Sequence, residues 1–249
     1  MTLPYCLGGT VAWFYALDAD KVEFERVIGK PLRSVQSGDC SMHEYQVGPH
    51  RLVAAKMGSG CVNTTNTVAT VMALNAVDRV ISTGPAGGLT DATQVGMWLR
   101  VQAVMAWQSG KAAEGGRIFP GEKALRQVEF LEAEWPEGEW QKMPTVKLVS
   151  GEAFVAAGEV RSRLAAEHAA GAVEMNAYGL LAGLEGRKVK VLILRVISDL
   201  ADEKASEDFA EYLKGYDGKG GKLVAELVKL LPAEANEPAA HEALRELLK

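Results

Sequence analysis

Hydrophobic positions along this chain fall into short continuous runs that are separated by turns and amphipathic stretches. The clearest run is residues 189–202, VKVLILRVISDLAD, which stays apolar and β-branched until it reaches Ser198 and Asp199. Such a run predicts a strand buried on both faces, as in a parallel sheet. Catalytic groups in open α/β sheets gather at the carboxyl ends of strands, so Asp199 is the first candidate for an acid. An alternative with equal weight is that Asp199 caps the following helix through its side-chain oxygen.

The other runs predict strands that alternate with helices. Strands are predicted at residues 3–7, 42–47, 51–56, 78–83, 97–104, 146–150 and 171–175. Helices are predicted at residues 11–17, 67–76, 160–170, 176–184, 207–214 and 222–230, with Asn63 or Thr64 capping the second. Residues 18–35 read as irregular, and residues 109–146 carry little signal. The alternation predicts an α/β fold with a mainly parallel sheet between two helical layers, and the hairpin at Gly48-Pro49 makes that sheet mixed.

Composition and charge exclude several classes of protein. The chain has 249 residues, of which 48% are hydrophobic and 24% charged, which is an ordinary globular balance. We expect one domain over residues 1–232 and a helical tail over residues 233–249. A net charge of -5 without a Lys/Arg stripe argues against a nucleic-acid partner, and no apolar run is long enough to predict a membrane span. Three cysteines without metal-ligand spacing predict a reduced, cytoplasmic protein with no metal.

Two glycine-rich segments are candidates for an anion cradle. Residues 58–60 precede a predicted helix, and residues 84–88 follow a predicted strand. Backbone N–H groups at such places bind anions, although a plain tight turn is the better interpretation of either segment alone. A dinucleotide fingerprint requires a third glycine where the first segment has Asn63. The histidines are expected at the surface: His43, His50, His168 and His241.

Three side chains stand together at the end of the predicted strand at residues 171–175. Glu174, Met175 and Asn176 combine oxygens that bind sugar hydroxyls with a soft side chain that packs under a ribose ring. The alternative is a helix N-terminus with a favourable acidic charge. Phe154 is a candidate for stacking on a base, although a core aromatic is the more common role.

The order of four segments along the chain resembles the nucleoside phosphorylase and nucleosidase superfamily, above all the 5′-methylthioadenosine/S-adenosylhomocysteine nucleosidases. The segments are ISTGPAGGL (81–89), SGEAFVAAG (150–158), VEMNA (173–177) and VLILRVISDLAD (191–202). The resemblance implies a single-domain three-layer sandwich with a central mixed, mainly parallel sheet. It also implies hydrolysis of the N-glycosidic bond of an adenine nucleoside without metal or organic cofactor, by a homodimer that works in methionine salvage.

The resemblance assigns roles to individual residues. It makes Asp199 the acid that protonates the purine at N7, and it makes Glu174 the remaining carboxylate beside the sugar. The residues expected to bind substrate are Ala86, Gly87, Phe154, Val155, Met175, Asn176 and Ser198.

Three positions depart from the family pattern. Asn176 stands where the family has a glutamate that binds the ribose hydroxyls, and Phe14 aligns with a glutamate that positions the attacking water. Pro85 replaces a serine near the sugar. Glu44, Glu152 or an acid from a partner chain are candidates for the water-positioning role. These losses leave two alternatives open, a purine-binding protein without catalysis and a phosphorylase, although the first turn lacks the arginine that a phosphorylase needs.

Overall fold

A computed structural model describes residues 8–112, 118–121, 124–128 and 135–232 of the chain. The helices are α1 (Asp18–Ile28), α2 (Cys61–Leu74), α3 (Gly158–His168), α4 (Ala177–Gly183), α5 (Ala205–Gly215) and α6 (Lys219–Leu230). The strands are β1 (Gly8–Tyr15), β2 (Arg33–Ser37), β3 (Cys40–Val47), β4 (His50–Lys56), β5 (Arg79–Gly88), β6 (Trp98–Ala106), β7 (Gly110–Ala112), β8 (Ile118–Pro120), β9 (Leu125–Gln127), β10 (Thr145–Ser150), β11 (Ala172–Glu174) and β12 (Lys190–Asp199).

A mixed sheet forms the middle of the molecule. Its strand order is β11-β10-β6-β12-β5-β1-β4-β3-β2, and β9 pairs with β6. Strands β4, β1, β5 and β12 run parallel to one another, as do β6, β10 and β11. Strand β11 also pairs antiparallel with the end of β5, which curls the sheet around that end. The predicted α/β fold with a mixed, mainly parallel sheet is thereby confirmed.

Helices cover both faces of the sheet, as a parallel core requires. Helices α2 and α4 pack together over the face that includes Phe14 and Ile193. Helices α1 and α6 pack together over the face that includes Trp13, Ile81 and Leu192. Alternate residues of β1 and β12 therefore point into different cores, and both strands are buried on both sides.

The prediction of a helix at residues 11–17 is wrong, because Val11 to Tyr15 belong to β1 and Ala16 and Leu17 connect it to α1. Gly8 to Tyr15 pairs with β4 on one side and with β5 on the other. The five residues Val11 to Tyr15 are all at most 3% exposed. An apolar run of aromatic and β-branched residues is typical of a buried strand, and periodicity does not separate that from a buried helix. The predicted strand at residues 3–7 lies outside the described residues.

Other local predictions also need correction. Residues 18–35, predicted as irregular, contain α1 and the start of β2. Residues 109–146, where the sequence carries little signal, contain three short strands, a 3-10 helix (Glu139–Lys142) and the start of β10 among their described residues. Helix α2 begins at Cys61, so Asn63 and Thr64 lie inside it, and the N-cap is Gly60. The glycine-rich residues 84–88 do not form a turn, because they continue β5 and pair with β12.

Two histidines lie in the core, contrary to the surface prediction. His50 is 1% exposed, and its Nε2 lies 3.0 Å from the carbonyl oxygen of Leu231. His168 is 7% exposed at the end of α3. His50 begins β4 and His168 ends α3, and neighbouring elements cover both positions. His241 and the predicted tail at residues 233–249 lie outside the described residues, and the domain boundary at residue 232 stays a prediction.

Candidate functional site

A cleft of about 210 Å³ opens where the sheet strands end. Its walls come from the ends of β5, β11 and β12 and from the segments that follow β1, β4 and β10, with one side chain from α5. Strand ends are where open α/β sheets collect ligands, because the chain leaves the sheet there and exposes its backbone. The lining residues are Ala16, Leu17, Ser59, Pro85, Ala86, Gly87, Ala153, Phe154, Val155, Val173, Glu174, Met175, Asn176, Ser198, Asp199 and Phe209.

Asp199 ends β12 and is 2% exposed. Burial raises the pKa of its carboxyl, and two hydrogen bonds partly oppose that rise. The hydroxyl of Ser198 donates to Asp199 Oδ2 at 2.8 Å, and the backbone N–H of Ala201 donates to Oδ1 at 2.9 Å. The N–H of Ala201 belongs to the loop before α5, whose N-cap residue is Lys204, so the alternative that Asp199 caps this helix is wrong. The role of Asp199 as an acid stays a prediction.

Gly87 makes room for this carboxyl. It is the β5 partner of Asp199 in the sheet register. A Cβ atom at position 87 would lie 2.8 Å from Asp199 Oδ1 and 3.1 Å from the Cβ of Ala201. A glycine at position 87 therefore lets the carboxyl of Asp199 lie close to the backbone of β5.

Glu174 lies in the same cleft but in a different environment. Its carboxylate pairs with the guanidinium of Arg195 at 3.1 Å, and the two side chains are 4% and 1% exposed. Its Oε2 also accepts the backbone N–H groups of Asn176 at 2.9 Å and Ala177 at 3.0 Å. Arg195 in turn donates to the hydroxyl of Ser82 at 3.1 Å. The charge of Glu174 is therefore compensated within the protein.

Asn176 follows Glu174 and begins α4 as its N-cap residue. Its side-chain amide donates to the carbonyl of Gly58 at 2.7 Å and to the hydroxyl of Thr64 at 2.6 Å. These bonds connect the start of α4 to the segment between β4 and α2 and to the first turn of α2. Asn176 contributes no charge to the cleft.

Apolar side chains form the wall opposite these polar groups. Phe154 is 45% exposed and lines the cleft. Its ring lies 5.8 Å from the ring of Phe209, centroid to centroid, with the planes tilted by 55°. Leu17 and Met175 complete an apolar lining suited to a flat heteroaromatic ligand. Phe154 is therefore not a core residue.

Neither glycine-rich segment forms an anion cradle. The carboxylate of Glu152 accepts the backbone N–H of Val62 at 3.0 Å, so the N-terminus of α2 beside Gly58 to Gly60 is already filled by an acid. The second segment pairs with β12 from Gly84 to Gly87 and with β11 at Gly87 and Gly88, and it contains Pro85, which has no N–H to donate. The described part of the chain also holds no cluster of three metal-ligating side chains.

Comparison with known proteins gives the family. The model of the phosphorylase superfamily matches residues 7–229, which is most of the chain. The chain belongs to the phosphorylase superfamily.

Solved structures of this superfamily share the fold. A 5′-methylthioadenosine/S-adenosylhomocysteine nucleosidase from Neisseria meningitidis is 26% identical, with a TM-score of 0.74 over 89% of this chain and 99% of its own. The nucleosidase of the same name from Helicobacter pylori is 22% identical, with a TM-score of 0.77 over 88% and 97%. The futalosine hydrolase of Helicobacter pylori is 21% identical, with a TM-score of 0.76 over 88% and 97%.

All nine residues predicted from the superfamily resemblance line the cleft. Their roles in binding or catalysis stay predictions. Phe14, aligned with a water-positioning glutamate, is fully buried in the core of β1, so the segment that reaches the cleft is Ala16 and Leu17. Neither Glu44 nor Glu152 lines the cleft. Glu44 is bound to Arg51 in β4, and Glu152 is bound to α2.

Several residues in or beside the cleft received no role from the sequence, among them Arg195, Phe209, Leu17 and Ser59. Arg195 is a lone charge inside an apolar strand, a signal that points to a buried partner. Phe209 lies one helix beyond Asp199, and no short-range pattern marks it. Leu17 and Ser59 stand in loops whose position is set by β1 and β4 together.

Proposed function

We propose that this protein hydrolyses the N-glycosidic bond of a purine nucleoside, with adenine as the base and 5′-methylthioadenosine as the first substrate to test. One observation carries the proposal: a buried carboxyl, Asp199, whose pKa is raised by burial, faces an apolar cleft beside a half-exposed aromatic ring, Phe154. A flat base suits the apolar wall, and a protonated acid suits a leaving base.

The proposed chemistry uses Asp199 as the proton donor. Cleavage of the bond between C1′ and the base leaves the electron pair on the base, and the Asp199 proton neutralises it. Water forms the new bond to C1′, and its released proton restores the acid. Ser198 holds the carboxyl by its 2.8 Å hydrogen bond, and Gly87 leaves the space for it. Burial favours the protonated form, which an exposed aspartate lacks at neutral pH.

Water is the preferred acceptor because the described lining of the cleft carries no lysine, arginine or histidine. A phosphate ion needs cations or several free N–H donors. Arg195 donates to Glu174, to Ser82 and to the carbonyl of Leu194 at 3.0 Å, so its guanidinium is committed within the core. These contacts favour hydrolysis over phosphorolysis.

A purine-binding protein without turnover is the second candidate. The observation that favours it is the neutral sugar side of the cleft, where Asn176 has no charge and Glu174 is paired with Arg195. A developing cation on the sugar gains little there, because no uncompensated carboxylate of the described chain lies beside it.

The test measures free base released from a panel of purine nucleosides, with and without phosphate, together with calorimetric binding of each. We expect steady release of adenine at a rate independent of phosphate. Binding without release over a long incubation identifies the second candidate. Release that requires phosphate identifies a phosphorylase, and no binding or release of any nucleoside contradicts the whole assignment.

We also propose a homodimer in the cytoplasm, with a place in methionine salvage. Support comes from the resemblance to nucleosidases and from two unpaired cysteines, Cys40 and Cys61, of which Cys40 is buried. No helix among the described residues combines the length and the apolar character of a membrane span. Sedimentation of the purified protein tests the dimer.

A further inference from the structure

We propose that Glu152 is a positioning residue, which holds the loop that carries Phe154 against the start of α2 and thereby keeps the aromatic ring at the cleft. Glu152 does not line the cleft itself, so its effect on a ligand passes through the loop. This inference rests on the proposed nucleoside-hydrolase function. It concerns the affinity for the base and not the transfer of the proton.

The loop of residues 151–157 connects β10 to α3 without regular secondary structure. Three of its residues line the cleft: Ala153, Phe154 and Val155. No hydrogen bond of residues 153–156 occurs within the described part of the chain. The ring of Phe154 is half-exposed, so packing fixes it only in part. Its position therefore depends on the hydrogen bonds at the two ends of the loop.

Three hydrogen bonds hold the first end of the loop. The backbone N–H of Gly151 donates to the carbonyl of Glu174 at 3.1 Å. The backbone N–H of Glu152 donates to Oε1 of Gln108 at 2.6 Å. The side chain of Glu152 reaches further, because its Oε1 accepts the backbone N–H of Val62 at 3.0 Å. This last bond is the one that joins the loop to α2.

Helix α2 uses the Glu152 carboxylate in place of a cap of its own. Its N-cap residue is Gly60, and its first turn contains no acidic residue. A carboxylate at such a position is stabilised by the free N–H groups and by the helix dipole. A Cβ atom at position 60 would collide with Oε2 of Glu152, so the glycine leaves room for the carboxylate. Since Ser59 lines the cleft directly before this cap, the bond sets how close the aromatic loop lies to that side.

The second end of the loop is held without Glu152. The N–H of Ala157 donates to the carbonyl of Ala201 at 3.3 Å, and the N–H of Gly158 donates to Oε1 of Glu203 at 2.9 Å. Both acceptors lie in the segment that follows β12. Loss of the Glu152 side chain is therefore expected to release the first half of the loop and to leave the proposed acid in place.

The contact with Phe154 limits the size of the expected effect. A ring that stacks on the base does so equally in the ground state and in the transition state, so its displacement raises KM and leaves kcat unchanged. An aromatic contact corresponds to about a 2- to 10-fold difference in affinity. Glu152→Ala is thus expected to raise KM by about 2- to 10-fold and to change kcat by less than about 2-fold.

The experiment measures kcat and KM of base release from 5′-methylthioadenosine, with calorimetric affinity in parallel, for wild type, Glu152→Ala and Glu152→Gln. We expect the glutamine variant to stay within about 2-fold of wild type, because an amide oxygen still accepts the N–H of Val62. An unchanged KM in Glu152→Ala, a loss in kcat above about 10-fold, or a glutamine variant as weak as the alanine variant overturns the inference.

A double variant tests whether Glu152 acts through the ring. Glu152→Ala combined with Phe154→Ala is expected to have the same KM as Phe154→Ala alone, because the second change removes the group that the first displaces. Losses in affinity that multiply in the double variant overturn the inference.

Asp217→Ala is the matched control for the loss of a helix cap. Oδ1 of Asp217 accepts the N–H of Lys219 at 3.2 Å at the start of α6, and Asp217 does not line the cleft. We expect an unchanged KM in this variant, and a rise equal to that of Glu152→Ala overturns the inference. Wild-type protein that neither binds nor cleaves a nucleoside contradicts the proposed function instead.

Discussion

Two carboxyl groups line the same cleft, and the protein treats them in opposite ways. Asp199 has no cationic partner among the described residues; it accepts one hydroxyl and one N–H, and its burial raises its pKa. Glu174 is just as buried, yet it faces Arg195 and two backbone N–H groups. Environment, more than residue type, therefore separates the proposed proton donor, Asp199, from Glu174, whose carboxyl is bound within the core.

The largest expected loss of stability comes from removing the cation that pairs with Glu174. Arg195→Met removes the cation and leaves a buried carboxylate without its partner. We expect the free energy of unfolding to fall by about 3–5 kcal/mol, measured by urea denaturation. Lys214→Met is the control, because Lys214 pairs at 2.8 Å with Glu211 at the surface, and its loss is expected to cost less than about 1 kcal/mol. Equal losses in the two variants contradict a structural role for the buried pair.

A third buried carboxyl, Asp20, provides a reference outside the cleft. It is 0% exposed, and burial raises its pKa to about 6, although hydrogen bonds from Tyr216 at 2.6 Å and Thr83 at 3.1 Å oppose the shift. The folded state therefore holds the proton more tightly than the unfolded chain. Stability is expected to increase as pH falls from above 6 toward 4, by at most about 3 kcal/mol.

Asp20→Asn tests that dependence. Urea denaturation of both proteins between pH 4 and 8 gives the difference in unfolding free energy that belongs to this residue. We expect the difference to shrink steadily toward the acidic end, where the wild-type carboxyl is protonated. Parallel pH profiles of the two proteins contradict the raised pKa of Asp20.

The space that Gly87 leaves beside Asp199 can be filled by one methyl group. In Gly87→Ala the new Cβ lies 2.8 Å from Asp199 Oδ1, so the carboxyl has to shift. We expect a loss of about 1–3 kcal/mol in stability and a larger fractional loss of base release than of binding. Gly215→Ala is the control, because nothing lies within 4 Å of a Cβ there. Unchanged base release in Gly87→Ala shows that the exact place of the carboxyl is unimportant.

The smallest expected effect is the loss of nucleoside affinity when the aromatic ring of Phe154 is removed. Phe154→Ala removes a half-exposed ring and is expected to weaken nucleoside binding by about 0.5–1.5 kcal/mol, with little change in stability. Calorimetry of wild type, Phe154→Ala and Phe154→Tyr separates stacking from folding, since tyrosine keeps the ring. Equal affinities in all three proteins contradict base stacking on this residue.

Most of the fold was predictable because most of its strands correspond to continuous apolar segments of the sequence. The run that became β12 and the hairpin of β3 and β4 appear at nearly their true bounds. Strand β1 was not predictable from periodicity, because a strand buried on both faces has no alternation. Its pairing with β4 and β5 is what distinguishes a strand from a helix here. That pairing depends on residues far away in the sequence.

The residues that line the cleft were largely predictable from the sequence. The hydrogen-bond and charge partners of those residues were not. The resemblance placed Asp199, Glu174 and Asn176 in one site, and the structure brings them together. It did not reveal that Arg195 compensates Glu174, nor that Gly58 and Thr64 use both amide hydrogens of Asn176. These contacts join segments more than 20 residues apart, which local sequence patterns do not encode.

The most direct test of the account is the rate of base release by Asp199→Asn under saturating nucleoside, with affinity measured in parallel. Asparagine keeps the shape of the side chain and removes its transferable proton. The account predicts a rate about 10²- to 10⁴-fold below wild type, with affinity nearly unchanged. A variant that releases base at the wild-type rate contradicts the assignment of Asp199 as the acid.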